Sequence, residues 1–207
     1  MMTVILTDMD DRYHLFSMRH SQEDKAASHE RIVAIAAARI REEGTEQPGV
    51  AEIMRAAGLT HGGFYKHFGS REEMIVEAIE RALAESESRV TELMSGGVDP
   101  LAAFADAYVS AAHRDDSATG CGVVALGTDI PRVGGAAQEA YRTQVERYLA
   151  HLQQLLQGDD DATRRRATVT LSAMVGAVML ARALGPTARS DEILHDVREA
   201  VRERRIP

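Results

Sequence analysis

The sequence predicts an all-α protein of about nine helices, with a small N-terminal unit followed by a larger helical bundle. Three observations predict it. Aromatic residues are only 4% of the chain and Trp is absent, whereas alanine is plentiful, a usage that favours helices over sheets. Apolar residues recur at i, i+3, i+4 and i+7, and no segment shows the alternation of a strand. Gly and Pro fall at discrete breaks between the periodic stretches.

Residues 1–20 carry Met1, Met2, Met9 and Met18 without a helical period and are expected to form a loose arm, with Met18 as an alternative start. From Ser28 to Glu43, Ile32, Ile35, Ala36 and Ile40 make one helical stripe, which Gly44 stops and Gln47-Pro48-Gly49 turns. Val50, Ile53, Met54 and Ala57 then give a two-turn helix broken at Gly58. Thr60 is placed to cap a second short helix that runs to Phe68. After Gly69, Ser70 and Glu73 read as a capping box opening a long amphipathic helix through Met74, Ile75, Ala78, Ile79 and Leu83.

Beyond a break at Gly96-Gly97, Pro100 opens a helix carrying Leu101, Phe104 and Tyr108. An irregular Gly-rich stretch spans 119–135, and a helix is expected over 136–156. A very apolar helix over 162–184 ends at Gly185-Pro186, and Ser190 is expected to cap the last one. The first unit is placed at 21–85 and the bundle at 86–207.

Composition excludes several classes. There are 24 Lys and Arg against 32 acids, net −8, so this is no basic coat for nucleic acid or membrane, and any such contact must come from a local patch. One cysteine, Cys121, leaves no internal disulfide framework and no Cys-rich zinc site. No apolar run approaches the roughly 20 residues of a bilayer span, so no membrane partner is expected and the cytoplasm is the default compartment. None of the eight histidines pairs at i, i+4, and no Ser/His/Asp constellation can be placed. Neither an enzyme, a cofactor nor a metal site is expected.

Residues 49–68 have the shape of a helix-turn-helix. On its second helix, Phe64 and Phe68 point together into the core, and Gly62 and Lys66 point away, flanked by Gly63 and Tyr65. Two adjacent glycines cost a helix about 1 kcal/mol each relative to alanine. Bare backbone beside Lys66 suits close approach of a groove wall or a phosphate; the alternative is that the glycines merely loosen the helix start. Residues 53–71 contain no acid, whereas Arg55, Lys66, Arg71, His61 and His67 lie there. A surface that meets DNA needs such a gap.

The stretch from Val50 to Met74, and above all Phe64-Tyr65-x-His67-Phe68-x-Ser70-Arg71-Glu72, resembles the N-terminal domain of tetracycline-repressor (TetR) type regulators. The likeness covers roughly 28–85. It implies a homodimeric repressor that binds a near-palindromic double-stranded operator and is released by a small-molecule effector. On that likeness Thr60 caps the recognition helix and touches phosphate. His61, Gly62, Gly63 and Lys66 face bases, while Tyr65, His67 and Arg71 meet the DNA backbone. Two positions depart from the family: Pro48-Gly49 stands where Ser or Thr usually caps the preceding helix, and Ile40 where an aromatic is usual. The competing reading is a helical small-molecule or protein-binding module with a degenerate helix-turn-helix.

In the bundle, Met94, Phe104, Tyr108 and Cys121 are candidate pocket residues, since they cluster near the irregular segment and Met adapts to varied ligands. Cys121 lies between Gly120 and Gly122, which suits either an accessible sensor thiol or a small buried one; no Lys or Arg within six residues supplies a thiolate partner. Ser172, Gly176 and Ala177, small residues amid Met174, Val175, Met179 and Leu180 on the apolar helix, let another helix approach closely. By resemblance they make a dimer interface with Ile193 and Val197 of the last helix; the alternative is an ordinary core helix.

Overall fold

The first glycine of the chain is Gly44 and the first proline Pro48, so no breaker interrupts a helix before them. In the computed structural model, which describes the backbone of residues 5–94 and 98–205 and the side chains of 22–93 and 98–205, α1 accordingly runs from Ile5 to Glu43. Where a loose arm is expected over 1–20, the chain is thus helical from Ile5; residues 1–4 lie outside the described residues. Gly44 ends α1 at φ +83°, donating its N–H to Ile40 O at 3.0 Å.

Helix α2 (Val50–Ala56) opens at Gly49 without a side-chain cap, and Gly58, at φ +74°, turns the chain out of it. The next element is not an α-helix to Phe68 but a 3-10 helix, His61–Lys66. Its tight pairing shows in Gly63 N–H donating to Thr60 O and His67 N–H to Phe64 O, both at 2.9 Å. Two glycines in six residues weaken α-helix formation enough for this shorter, tighter form. Thr60 occupies the N-cap position, but its side chain makes no cap hydrogen bond. Helix α3 (Arg71–Met94) begins in the expected box: Ser70 Oγ accepts from Glu73 N–H at 3.1 Å, while the Glu73 carboxylate accepts from Gly69 N–H at 2.6 Å rather than from Ser70.

The bundle comprises α4 (Pro100–Tyr108), α5 (Ala111–Asp115), α6 (Gly122–Leu126), α7 (Ile130–Val133), α8 (Gly135–Leu155), α9 (Asp161–Leu184) and α10 (Ala188–Arg202). The described residues therefore hold ten α-helices and one 3-10 helix where about nine helices are expected. Two of them, α6 and α7, lie inside the stretch read as irregular. Thr187, not Ser190, caps α10; Ser190 is fully buried and donates its hydroxyl to Ala181 O at 3.2 Å.

One continuous apolar core joins both parts, with α3 as the shared spine between α1 on one side and α4 and α8 on the other. Met74, Ala78 and Ile79 of α3 are fully buried together with Ile32, Ala36 and Ile40 of α1. By length and composition α9 would pass for a bilayer span, against the sequence expectation. Its Ala167, Met174, Val178 and Ala181 are instead fully buried, and the helix packs between α8 and α10.

Candidate functional site

The 3-10 helix is anchored by one face and bare on the other. Phe64 and Phe68 are each 2% exposed, with stacked rings 5.4 Å apart, and Phe68 stacks in turn on His29 of α1 at 4.6 Å. Thr60, His61, Gly62 and Lys66 are exposed, Gly63 is half-buried, and Tyr65 is 74% exposed. A methyl added at Gly62 would meet nothing within 4 Å. His67 is half-buried; its Nδ1 is buried without a hydrogen-bond partner, and burial lowers its pKa, so Nε2 is the nitrogen left to meet a ligand.

Arg71 does something the sequence does not display. Its guanidinium turns back to the α1–α2 connection and donates to the carbonyls of Thr45 at 2.7 Å, Glu46 at 3.0 Å and Pro48 at 3.4 Å. It braces the turn that aims α2 and is only half-exposed. Arg31 of α1 likewise donates to Ala57 O at the end of α2 at 3.0 Å. The recognition segment is thus fixed from α1 and from α3, with Arg55, His61 and Lys66 left outward and no carboxylate between Glu52 and Glu72.

Residues 32–78, which contain all of this geometry except the contacts made by His29 and Arg31, match the family of bacterial regulatory proteins, tetR family. Over this segment the chain is similar to the N-terminal domain of tetR-family regulators. It is a transcriptional regulator with a DNA-binding helix-turn-helix. An uncharacterized HTH-type transcriptional regulator of Mycobacterium tuberculosis, from two strains, is 26% identical, covering 74% of this chain and 83% of the relative. A TetR transcriptional regulator from Chloroflexus aurantiacus J-10-FL shares the fold with a TM-score of 0.75 at 24% identity, over 87% of this chain and 96% of that one. A TetR-family transcriptional regulator from Agrobacterium tumefaciens does so with a TM-score of 0.71 at 20% identity, over 86% and 98%.

The regulator's bundle holds a cavity of about 240 Å³ between α3, α4, α5 and α8, lined in part by Val90, Leu93, Ala107, Tyr108, Cys121 and Tyr148. Of the expected pocket residues, Tyr108 and Cys121 line it. Phe104 does not: it is 2% exposed in the core behind, its ring 5.3 Å from that of Tyr108. The Met94 side chain lies outside the described residues. Cys121 is 6% exposed, and its Sγ accepts a hydrogen bond from Tyr108 Oη at 3.3 Å, with Tyr148 Oη 3.7 Å away. The flanking glycines serve packing rather than access. A methyl at Gly120 would collide with the Arg182 guanidinium, and one at Gly122 would press on α3 at 3.2–3.3 Å.

Several residues here carry weight that sequence reading missed. His113 donates from Nδ1 to Tyr108 O at 2.7 Å and accepts the Cys121 N–H on Nε2 at 3.0 Å, and burial lowers its pKa to about 4. Arg41 of α1 is 6% exposed and donates to Glu85 Oε2 at 2.9 Å and to Ala118 O at 2.5 Å, just before the cavity wall at Thr119. Asp129 accepts the Thr45 N–H at 2.8 Å, on the same turn that Arg71 braces. Two polar bridges therefore tie α1 and the turn before α2 to the bundle, one at Ala118 and one at Asp129. Nothing in local spacing signals them, because the partners are 77 and 84 residues apart.

On α9, Val169, Ser172, Gly176, Leu180 and Leu184 succeed one another at helical spacing along one outward face. Val169, Met179, Leu180 and Leu184 are 41–51% exposed, and a methyl at Gly176 would meet nothing. Ile193 and Val197 of α10 are half-buried and pack against the core of their own chain.

Proposed function

We propose that this regulator is a homodimeric repressor that releases a near-palindromic operator when a small molecule occupies the bundle cavity. The observation that carries the reading is the outward face of the 3-10 helix: rigidly backed, free of carboxylates and bare of side chains at Gly62. His61, Gly62, Gly63 and Lys66 read bases, Thr60 and Tyr65 meet phosphates, and His67 contributes a neutral hydrogen bond to the backbone. Arg71 acts one step back, holding the α1–α2 turn. Residues 21–85 form the DNA-binding unit and 86–207 the ligand and dimer unit.

The apolar face of α9, with Met179 and Leu180 at its centre and Ile193 and Val197 of α10 at its edge, supports the dimer. Large apolar side chains in a row are seldom left in water. Pairing also multiplies affinity by making the second half-site contact intramolecular. Sedimentation together with a footprint over the DNA flanking its own gene tests the proposal. The expected result is a dimer protecting two half-sites about one duplex turn apart. A strict monomer, or no protected phosphates, leaves only a helical binding module.

A further inference from the structure

We infer that the bundle cavity takes an uncharged, mostly apolar small molecule carrying one hydroxyl or carbonyl group. The inference rests on the ligand-release reading above and names the class of ligand. Its walls are apolar where Val90, Leu93 and Ala107 stand, and the polar side chains at its buried end are those of Tyr108, Tyr148, Cys121 and Ser86. The charged residues among those lining it are Arg89 and Asp116. Both are exposed, so they stand at the opening, and their charges are opposite.

No counter-charge waits inside. His113 is neutral, since its Nε2 accepts the Cys121 N–H while its Nδ1 donates to Tyr108 O. Burial also pushes the phenol pKa values of Tyr108 and Tyr148 upward, keeping both protonated. The nearby Arg182 guanidinium is committed to the carbonyls of His113 and Arg114. A charged head group drawn to the buried end would lose its water and gain no partner.

A neutral polar head finds partners. Tyr108 spends its proton on Cys121 Sγ, which leaves its oxygen free to accept from a ligand hydroxyl. Tyr148 Oη lies 3.7 Å from the same sulfur, a long contact that a carbonyl oxygen can replace. Size is bounded as well. An apolar cavity of about 150 Å³ holds benzene, so a volume of about 240 Å³ suits a molecule of two fused rings.

Isothermal titration of the full-length protein with 2-naphthol, 2-naphthoate and 2-naphthylmethylamine tests this, because the three share a ring system and differ in charge at neutral pH. Naphthol should bind, and the two ions should bind at least about 100-fold more weakly for want of a counter-charge at the buried end. Tyr108→Phe should weaken naphthol about 5- to 10-fold and leave naphthalene unchanged. Ala107→Leu should abolish naphthol binding by filling the cavity while the protein still melts cooperatively. Binding of either ion as tightly as naphthol, or no binding of naphthol, overturns the assignment. Release from the operator is read separately. If naphthol binds but DNA is held, the ligand class stands and the release reading falls. If an ion alone releases DNA, the reverse holds.

Discussion

Two faces of this regulator are left uncovered, and their chemistry is opposite. On the 3-10 helix the outward residues are His61, Gly62, Tyr65 and Lys66, polar or bare, in a stretch without acids. On α9 they are Val169, Leu180 and Leu184 along one row with Met179 beside it, all apolar. Both helices bury their other side in the same continuous core. Folding alone therefore explains the inward half of each and neither outward half. A face stripped of carboxylates suits a polyanion, whereas a face of aliphatic side chains suits another such face.

The largest expected effect comes from placing a charge on the second face. Leu180 is 51% exposed, so Leu180→Asp should leave the monomer folded. In a dimer it would bury an unpaired carboxylate, weakening association by about 3–5 kcal/mol. Analytical ultracentrifugation should then show monomer at concentrations where the parent is dimeric, and operator binding should fall with it. An unchanged dissociation constant would remove α9 from the interface.

A neighbouring pair sharpens the other side of the comparison. Phe64 is 2% exposed and Tyr65 74%. Phe64→Ala should cost about 3–5 kcal/mol of stability, measured by urea unfolding, and Tyr65→Ala within about 0.5 kcal/mol. Only the second should lower operator affinity in a protein that remains fully folded. Equal losses of stability would mean that Tyr65 is a packing residue after all.

The cavity differs from both in keeping its charged lining residues, Arg89 and Asp116, at the opening. His113 has its pKa lowered to about 4 from an ordinary 6.5, so the unfolded chain takes up its proton first as pH falls. Its contribution is complete above pH 6.5 and is lost progressively down to about 4, by up to about 3 kcal/mol. Urea midpoints at pH 7 and 4.5 should diverge, and His113→Gln should flatten the slope between them.

The range of each interaction decides how much of this is legible in the sequence. The apolar anchors Ile53, Met54, Phe64 and Phe68 repeat at helical intervals, and Gly44, Pro100 and Gly185 punctuate the helices locally, so the helix-turn-helix and the long helices can be read directly. The 3-10 form is less plain, although Gly62-Gly63 carries the signal. Arg71 marks the limit. Its spacing and charge suit a phosphate contact, but nothing local signals that its Nη2 also donates to three carbonyls 23–26 residues back. Cys121 between glycines suits an open thiol or a buried one, and packing decides it: the glycines admit Arg182 and α3, and the cysteine is buried. Arg41, His113 and Tyr148 act through partners that only tertiary packing supplies.

Lys66 tests whether the outward charge reads sequence or merely attracts DNA. Lys66→Ala should weaken operator binding by about 1–3 kcal/mol and relax preference at one base position if it reaches a base edge. If it meets phosphate instead, affinity should fall evenly across sequences and the salt slope by about 1. Gel shifts over a salt series and a panel of point-substituted operators separate these outcomes, and no change in either removes Lys66 from the contact.

Gly62 gives the smallest and most discriminating effect. Its φ is not positive and a methyl there meets nothing within 4 Å, so the folded protein accepts alanine without strain. Gly62→Ala should stabilise the regulator by up to about 1 kcal/mol, because glycine loses more backbone freedom on helix formation. Operator affinity should nevertheless fall, since the added methyl stands where a groove wall or phosphate comes against bare backbone. The two measurements moving in opposite directions, urea midpoint up and gel-shift affinity down, separate contact from looseness. If affinity rises with stability, the paired glycines only soften the start of the 3-10 helix, and the approach to DNA runs through Tyr65 and Lys66 alone.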